Sequence, residues 1–482
     1  MTTAEKSERR QVVQGTSWTL LGYGASQFLR LGSNLVMAHL LFPEAFGIMA
    51  LVNVFMQGVQ MLSDIGVGPS IIHNPRGEDE RFLNTAWTLQ IIRGCILAAI
   101  TFLLAWPVAE FYSAGQAQAV ILIYILPVVA LTMLIDGFTS ISVFLLNRRM
   151  QLRKVVLLEL FPQIVAVIVM IGFALFWPSV WALVAGWVIR SIVRLIYSHM
   201  LIKGRRDHLA WDKDAVKSLV SFGAWILAST AVTFFAMNLD RLVLGKLITL
   251  AELGIYSIAM SFARLGIHIT TRLGNSVVFP LLTKRQQRPQ EAMEFCLKGR
   301  RLILMAGGLA CSSFAILGPL FFEMLYDPRY HAAGALTRWL AIYVWAWILV
   351  ATVDRVPLAM GQPKVLFIAN VLETSTLILA IAAYFYGGLA GFILGMTAAK
   401  IVALLYITTQ LPAAKMQSLI QGLLYTLAYA AFACISLSTL NRIAAADISM
   451  RCLISASFIL LLILPVVIIA LPYIRRKTES CL

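Results

Sequence analysis

The chain has 482 residues, of which 60% are hydrophobic and 13% are charged, and its formal net charge is +16. About 25% of the residues in an ordinary soluble domain are charged, so this composition excludes a soluble enzyme, a nucleic-acid-binding protein and a disordered scaffold. It predicts an all-α polytopic membrane protein, because helices satisfy their own backbone hydrogen bonds inside a bilayer.

Long apolar runs bounded by proline, glycine or charged residues predict about 14 transmembrane helices, since each crossing takes about 20 apolar residues. The first six spans are predicted at 16–42, 46–68, 85–112, 117–146, 155–177 and 179–201. The next six are predicted at 219–247, 251–282, 301–325, 333–360, 364–386 and 388–411. The last two are predicted at 419–440 and 450–473. An even number of spans places both ends of the chain on the same side of the membrane.

The distribution of lysine and arginine predicts which side that is. Of the 39 basic residues, 26 fall in the loops and chain ends on the side of the N-terminus, and five fall in the loops on the opposite side. Basic residues accumulate in cytoplasmic loops, so both termini are expected in the cytoplasm. These loops also account for most of the net charge without a nucleic-acid partner.

The sequence divides into two lobes and a tail. We expect an N-terminal lobe at 1–201 (spans 1–6), a cytoplasmic loop between the lobes at 202–218, a C-terminal lobe at 219–411 (spans 7–12), and accessory spans 13 and 14 with a cytoplasmic tail at 412–482. At an offset of 207 residues the lobes are similar, because Trp18 meets Trp225 and Gly47-Ile48 meets Gly254-Ile255. Six spans separate the copies, so the pattern predicts parallel repeats related by a pseudo-two-fold axis along the membrane normal, an arrangement typical of transporters.

Polar residues recur at intervals of three or four residues in spans 1, 2, 7 and 8, so each set lies on one helix face. We expect these sets to line a central cavity and to bind the substrate. They are Tyr23, Gln27, Arg30 and Asn34; Asn53, Gln57 and Gln60; Asn238 and Arg241; and Ser261, Arg264, His268 and Arg272. Polar groups are costly in lipid, which favours a water-filled cavity. The alternative is that the stripes only hold helices together or reach the membrane interface.

The stripes contain more arginine than acid. Only Asp64 and Asp240 oppose the arginines in these four spans, which leaves a surplus of buried positive charge for an anion. The planar fork of arginine suits phosphate or carboxylate, so the pattern predicts a large amphiphilic anion as the substrate. Asp64, Asp136 and Asp240 are candidates for ion coupling, although Asp136 could equally pair with Arg93 or Arg190.

Other features predict no catalytic chemistry. The sequence contains no Walker A, GxSxG or HExxH motif, and its cysteines and histidines show no metal-ligand spacing. We expect no enzymatic activity, no cofactor and no metal, and transport driven by a gradient, by downhill flux or by a partner. Glu159 and Arg194 lie near the ends of their spans and are expected at the membrane interface.

A family resemblance is carried by three stretches of the sequence, 15–72, 238–265 and 279–286 (FPLLTKRQ). It is most specific at the turn from Leu40 to Gly47, at 64–66 (Asp-Ile-Gly) and from Asn238 to Tyr256. These stretches resemble the bacterial polysaccharide transporters known as Wzx-type flippases. These transporters belong to the multidrug/oligosaccharidyl-lipid/polysaccharide exporter superfamily, which also contains multidrug efflux (MATE) proteins and the lipid II flippase. The resemblance covers the first twelve spans.

The resemblance implies a function, a substrate and a location. It implies the flipping of undecaprenyl-diphosphate-linked oligosaccharide repeat units across the bacterial inner membrane by alternating access, for exopolysaccharide, capsule or lipopolysaccharide O-antigen synthesis. A polysaccharide polymerase and export machinery are the implied partners. Lipid II flippases have cavity arginines in spans 1, 2 and 8; here Arg30, Arg264 and Arg272 match spans 1 and 8, whereas span 2 offers only amides. That departure argues against lipid II itself as the substrate.

Two other functions remain open from the residues. A MATE-like, cation-coupled antiporter of small molecules would use acidic cavity residues as its main binding groups. A membrane scaffold for a polysaccharide synthase complex would not need polar stripes deep in its spans. The net positive charge of the stripes favours the flippase over both.

Overall fold

A computed structural model of the chain describes residues 3–63, 66–201, 207–273, 289–354, 356–357, 362–410 and 420–432. Within these ranges the chain is helical and forms no strand. Eight of the described helices are long and apolar enough to cross a membrane. The predicted all-α membrane class is thereby confirmed.

The helices follow one another with short connections. Those of the first half are α1 (Thr3–Leu40), α2 (Pro43–Met61), α3 (Val67–His73), α4 (Glu80–Ser113), α5 (Leu122–Gly137), α6 (Ser142–Arg148), α7 (Leu152–Phe176) and α8 (Val180–Met200). Those of the second half are α9 (Lys213–Leu247), α10 (Leu250–Leu273), α11 (Pro289–Leu325), α12 (Ala332–Ala351), α13 (Pro363–Thr409) and α14 (Ile420–Phe432). Short 3₁₀ turns precede α5 (Ala117–Ile121) and α12 (Pro328–Tyr330).

The predicted spans differ from the helices mainly where the backbone breaks. The predicted span 117–146 is divided in the structure, because α5 ends at Gly137 and α6 begins at Ser142. The predicted boundary between the spans 364–386 and 388–411 is confirmed, because the backbone at Gly387 and Gly388 is not helical; the two spans are the arms of α13 on either side of this bend.

Three helix starts in the structure have local causes. Asp79 caps α4 by accepting a hydrogen bond from the backbone N–H of Arg81, and Asp212 caps α9 by accepting from that of Asp214. The start of α10 is a capping box, in which Thr249 Oγ1 accepts from the backbone N–H of Glu252 (3.2 Å) and the Glu252 carboxylate accepts from that of Thr249 (2.9 Å).

The chain forms two compact units, Met1–Gly254 and Ile255–Leu482. In the first unit, α4 packs along α5, α1 and α8 pack on α7, and α9 packs on α2 and α4. In the second unit, α12 packs between α11 and α13. Tyr429 fixes α14 to α11 by donating from its hydroxyl to the carbonyl oxygen of Met305 (3.0 Å). The predicted span 450–473 lies outside the described residues.

Candidate functional site

The first unit contains a cavity of about 430 Å³ among α2, α3, α4, α5, α6 and α8, here called the polar pocket. Its polar lining comprises the side chains Gln60, Gln90, Arg93, Asp136 and Arg194. Two of these, Gln60 and Asp136, are residues that the sequence analysis assigned to a site. Charged and amide groups are costly within membrane-spanning helices, so their presence in this lining indicates a space that water or a small ion can enter.

Arg93 is held at the wall of the polar pocket by the end of α2. Its Nη2 donates to the carbonyl oxygen of Gln60 (2.8 Å) and to Ser63 Oγ (3.2 Å), and its Nε donates to the same hydroxyl (3.3 Å). The last carbonyl groups of a helix lack partners and carry partial negative charge, so a guanidinium there is favourable. Arg93, one of the two partners that the sequence allowed for Asp136, thus caps the end of α2.

Gln90 explains the break between α5 and α6. Its Nε2 donates to the carbonyl oxygens of Asp136 (3.3 Å), Gly137 (3.0 Å) and Thr139 (2.9 Å). These carbonyls would otherwise be unsatisfied where the helix ends, which is costly inside a membrane. One amide side chain thus fixes the backbone that carries Asp136.

Asp136 is the acidic group of the polar pocket. Its Oδ1 is buried and accepts no hydrogen bond from the described residues. Ser191, Arg190 and Arg194 of α8 surround the carboxyl group. From the sequence, Arg190 is expected as one partner of Asp136 and Arg194 is expected at the membrane interface. The sequence alone does not show that one face of α8 turns toward α5.

The two arginines of α8 are shared with a second acid. Arg190 Nη2 lies 3.4 Å from Glu159 Oε2, and Arg194 Nη2 lies 3.1 Å from Glu159 Oε1. Glu159 belongs to α7, so this group of charges links α7, α8 and the polar pocket. Arg194 therefore lines the polar pocket as a member of an ion pair with Glu159.

The predicted residues of α1 and α2 are partly buried. Tyr23, Gln27 and Asn34 are half-buried and Arg30 is exposed. The neighbouring Ser26 faces α7, where its Oγ donates to Gln163 Oε1 (2.6 Å) and its carbonyl oxygen accepts from Gln163 Nε2 (3.0 Å). The face of α1 that packs on α7 is therefore adjacent to the polar stripe.

The three amide side chains of the α2 stripe make different contacts. Asn53 Nδ2 donates to the carbonyl oxygen of Met49 (2.8 Å) in its own helix, and Gln57 Nε2 lies 3.6 Å from Met61 Sδ. Gln60 lines the polar pocket. Asp64 lies outside the described residues.

The stripes of α9 and α10 contain deeply placed polar groups. Asn238 is fully buried and donates from Nδ2 to the carbonyl oxygen of Phe234 (3.2 Å). Asp240 is 5% exposed.

The remaining members of these stripes are less buried. Arg241 belongs to α9 and is half-buried. In the second unit, Arg264 and His268 are half-buried, and Ser261 Oγ donates to the carbonyl oxygen of Ser257 (2.8 Å). The side chain of Arg272 lies outside the described residues, and the single cavity formed by all four helices stays a prediction.

The second unit contains a buried ion pair that the sequence analysis did not assign. Lys400 Nζ lies 2.5 Å from Glu373 Oε1, and the two side chains are 6% and 11% exposed. The ammonium also lies 3.5 Å from the centroid of the Trp347 ring, a cation–π contact. Glu373 and Lys400 stand on opposite arms of α13, so only the bend of that helix brings them together. In the described part of the chain, no group of three or more His, Cys, Asp and Glu residues could hold a metal ion.

Comparisons with known proteins agree on a transporter family. A family model described as "Polysaccharide biosynthesis protein" matches residues 36–333. The amylovoran biosynthesis protein AmsL of Erwinia amylovora is 23% identical over 298 residues, which cover 61% of this chain and 74% of that protein. The lipopolysaccharide biosynthesis protein WzxC of Escherichia coli strain K12 is 20% identical over 393 residues, which cover 81% of this chain and 78% of that protein.

Solved structures show where the fold recurs. The lipid II flippase MurJ, in an inward closed conformation, is similar with a TM-score of 0.72 and 15% identity, covering 96% of this chain and 100% of that chain. An inward-facing multidrug resistance MATE transporter is similar with a TM-score of 0.59 and 14% identity, covering 84% of this chain and 95% of that chain. At these identities the likeness shows the fold alone.

Proposed function

Because the chain belongs to the polysaccharide biosynthesis protein family, we propose that it flips polyprenyl-diphosphate-linked oligosaccharide repeat units across the bacterial inner membrane. The family match is the observation that carries this proposal, since it runs from residue 36 to residue 333 and includes the polar stripes of α2, α9 and α10. Two of the relatives are named for the biosynthesis of amylovoran and of lipopolysaccharide, which agrees with a role in polysaccharide assembly. The undecaprenyl carrier, the polymerase and the export machinery are the partners that this function requires.

The arginines of the stripes are the proposed diphosphate ligands. Arg30, Arg264 and Arg272 would bind the diphosphate, because guanidinium groups form paired hydrogen bonds with phosphate oxygens. The neutral members of the stripes would bind sugar hydroxyls, as amides and hydroxyls do in other carbohydrate sites. They are Tyr23, Gln27, Asn34, Asn53, Gln57, Gln60, Asn238 and Ser261. Arg241 and His268 supply further positive charge.

Ion coupling is assigned to the acids near these stripes. Asp136 is the strongest of the three candidates, because it lines the polar pocket and its buried Oδ1 has no hydrogen-bond donor among the described residues. Asp64 and Asp240 are the other two. A MATE-like antiporter shares the fold, but its expected acidic binding groups are outnumbered here by arginines, which favours an anionic substrate.

The proposal is tested by lipid analysis of a strain that lacks this gene. We expect loss of surface polymer and accumulation of undecaprenyl-diphosphate oligosaccharide on the cytoplasmic face, both reversed by the intact chain. Normal polymer with altered sensitivity to drugs or dyes would instead assign small-molecule efflux.

Arg264→Ala tests the proposed diphosphate site. We expect the variant to lose polymer export while it stays folded and inserted, and Arg264→Lys to retain part of it because the charge remains. Arg301→Ala, which removes an exposed arginine near the start of the next span, is the matched control and should export normally. Normal export by a well-expressed Arg264→Ala protein would refute the role of this arginine.

A further inference from the structure

The second unit contains a cavity of about 610 Å³ among α11, α12 and α14, here called the apolar pocket. Its inner wall is made of small buried residues, among them Cys311, Ala315 and Ala341. Its rim includes Trp339 and Ile342, which are 37% and 44% exposed. Since α11 and α12 are both long and apolar enough to cross a membrane, a recess with an exposed apolar rim opens toward lipid.

The deep end of the apolar pocket is closed by aromatic side chains whose polar atoms are satisfied within the protein. Trp345 donates from Nε1 to Thr426 Oγ1 (2.9 Å), and the hydroxyl of Tyr429 donates to the carbonyl oxygen of Met305 (3.0 Å). A Cβ atom added at Gly308 would overlap the Tyr429 ring, so this ring lies directly on the backbone of α11. The two rings therefore contribute apolar surface to the pocket, which favours an apolar occupant.

The apolar pocket has one positive charge in its described lining. Arg338 lines the pocket, is exposed, and pairs with no other residue in the part of the chain that the structure describes. Seven residues of α12 separate it from Trp345, which places the two about 10 Å apart along the helix axis. A guanidinium within a span is costly unless it reaches the headgroup region or meets an anion. The pocket thus has a cationic end and an aromatic end.

The cationic end is expected near the outer surface of the membrane. Because α11 begins beside the basic segment 283–301, which is expected in the cytoplasm, α11 should run outward and α12 should return from the outside. Arg338 belongs to the second turn of α12 and is followed by Trp339, a residue type that is enriched at the headgroup level. At this depth a lipid phosphate can accept hydrogen bonds from the guanidinium.

We propose that the apolar pocket binds one anionic glycerophospholipid of the outer leaflet. Its phosphate lies at Arg338, and one acyl chain lies between α11, α12 and α14 down to Trp345. The charge of Arg338 at the rim of an otherwise apolar recess supports this occupant. A volume of about 610 Å³ encloses a single acyl chain but not the far longer chain of a polyprenyl carrier. The described lining contains no member of the polar stripes, so this site is separate from the proposed diphosphate site.

Lipid titration tests this site, with mass spectrometry of the intact, delipidated protein as the measurement. Dioleoylphosphatidylglycerol is the anionic probe, and dioleoylphosphatidylcholine is the zwitterionic one. We expect the wild type to bind one phosphatidylglycerol molecule more tightly than phosphatidylcholine. Arg338→Gln should weaken the binding of phosphatidylglycerol about tenfold, because a hydrogen bond to a charged phosphate is lost.

A second variant tests the apolar part of the site. Ala335 lines the apolar pocket and is exposed, so Ala335→Phe places a ring in the pocket without overpacking the core, and it should also weaken binding about tenfold. Ala310→Phe is the control, since Ala310 is exposed on α11 outside the described lining. Arg329→Gln controls for charge, because Arg329 is already paired with Asp327 (2.7 Å). Both controls should bind like the wild type.

Three results would overturn the proposal. The first is equal affinity of the wild type for the two phospholipids. The second is wild-type affinity in folded Arg338→Gln and Ala335→Phe proteins; if Ala335→Phe does not fold, Arg338→Gln decides alone. The third is tighter binding of undecaprenyl phosphate than of phosphatidylglycerol, removed by Ala335→Phe, which would assign the pocket to the carrier lipid. None of these measurements needs transport, so they stand apart from the export assay that tests the flippase.

Discussion

At the scale of single residues, the least expected feature is the ion pair between Glu373 and Lys400. The free energy needed to remove two charges from water can exceed the free energy gained from their attraction. A buried ion pair therefore adds little stability over an apolar pair of the same size. Removing one partner is different, because the other is left charged and without compensation. If Glu373 were removed, the cation–π contact with Trp347 would compensate only part of the charge of Lys400.

Lys400→Met should therefore destabilise the protein by about 3–5 kcal/mol, since it leaves the Glu373 carboxylate buried without its ammonium. The double variant Glu373→Gln/Lys400→Met should recover most of that loss. Thermal unfolding of the detergent-solubilised protein measures both. Lys364→Met, at an exposed lysine on the same helix, is the control. Equal unfolding temperatures for the single and double variants would contradict this account.

At the scale of helices, the bend of α13 determines which residues meet. Gly388 has φ 57° and ψ −145°, a conformation that only glycine adopts readily, whereas Gly387 has φ −130° and ψ 16°. Beyond the bend the arms pack through small residues, because a Cβ atom at Gly395 would lie 2.8 Å from Ala380 Cβ. The bend and this close packing together bring Lys400 to Glu373.

The two adjacent glycines give a matched pair of variants. Gly388→Ala should cost about 1–3 kcal/mol, because a side chain strains a backbone in that region. Gly387→Ala should be nearly neutral, since its φ is negative, and nothing lies within 4 Å of the added Cβ atom at either position. Unfolding temperatures compare the two. Equal effects would show that the bend does not depend on the conformation of Gly388.

Charged residues also join helices of the first unit at the loop before α4. Arg76, in the loop before α4, bonds both Asp79 and Asp212 (each within 3.0 Å), the residues that cap α4 and α9. Hydrogen bonds from Arg76 hold the pKa of each of these carboxyls below its ordinary value. In the same loop, the pKa of Glu78 is lowered by its hydrogen bond from Arg149.

This arrangement predicts a pH dependence with a definite sign. A carboxyl whose pKa is lowered by folding stabilises the protein above its ordinary pKa, here 3.8 for aspartate, and the gain is lost as the pH falls through the lowered value. Arg76→Ala should unfold at a slightly lower temperature than the wild type at pH 7, because the pairs are exposed. The difference in unfolding temperature between Arg76→Ala and the wild type should vanish on acidification below pH 3.8. The control variant Lys154→Ala should show no such change with pH. A difference that persists in acid would assign Arg76 to packing instead.

At the scale of the whole molecule, the sequence predicted what depends on local pattern. Hydropathy located most of the described helices, whereas the repeat at an offset of 207 residues stays a prediction. The polar pocket was not predicted as a unit, because Gln60, Asp136 and Arg194 come from separate helices whose facing sides depend on packing. The Glu373–Lys400 pair was missed for the same reason. Periodicity gives the face of one helix but not the neighbour that the face meets.

The orientation of the molecule in the membrane is a prediction that rests on the distribution of its charges. Lysine and arginine counts place the turn after α4 outside and the segment before α9 inside. Ala114→Cys should therefore be labelled by an impermeant maleimide in intact cells, and Trp211→Cys only after permeabilisation; both positions are exposed in the structure. The reverse pattern would place the N-terminus outside and would contradict the orientation predicted from the basic loops, because the turn after α4 and the segment before α9 would then lie on the opposite sides.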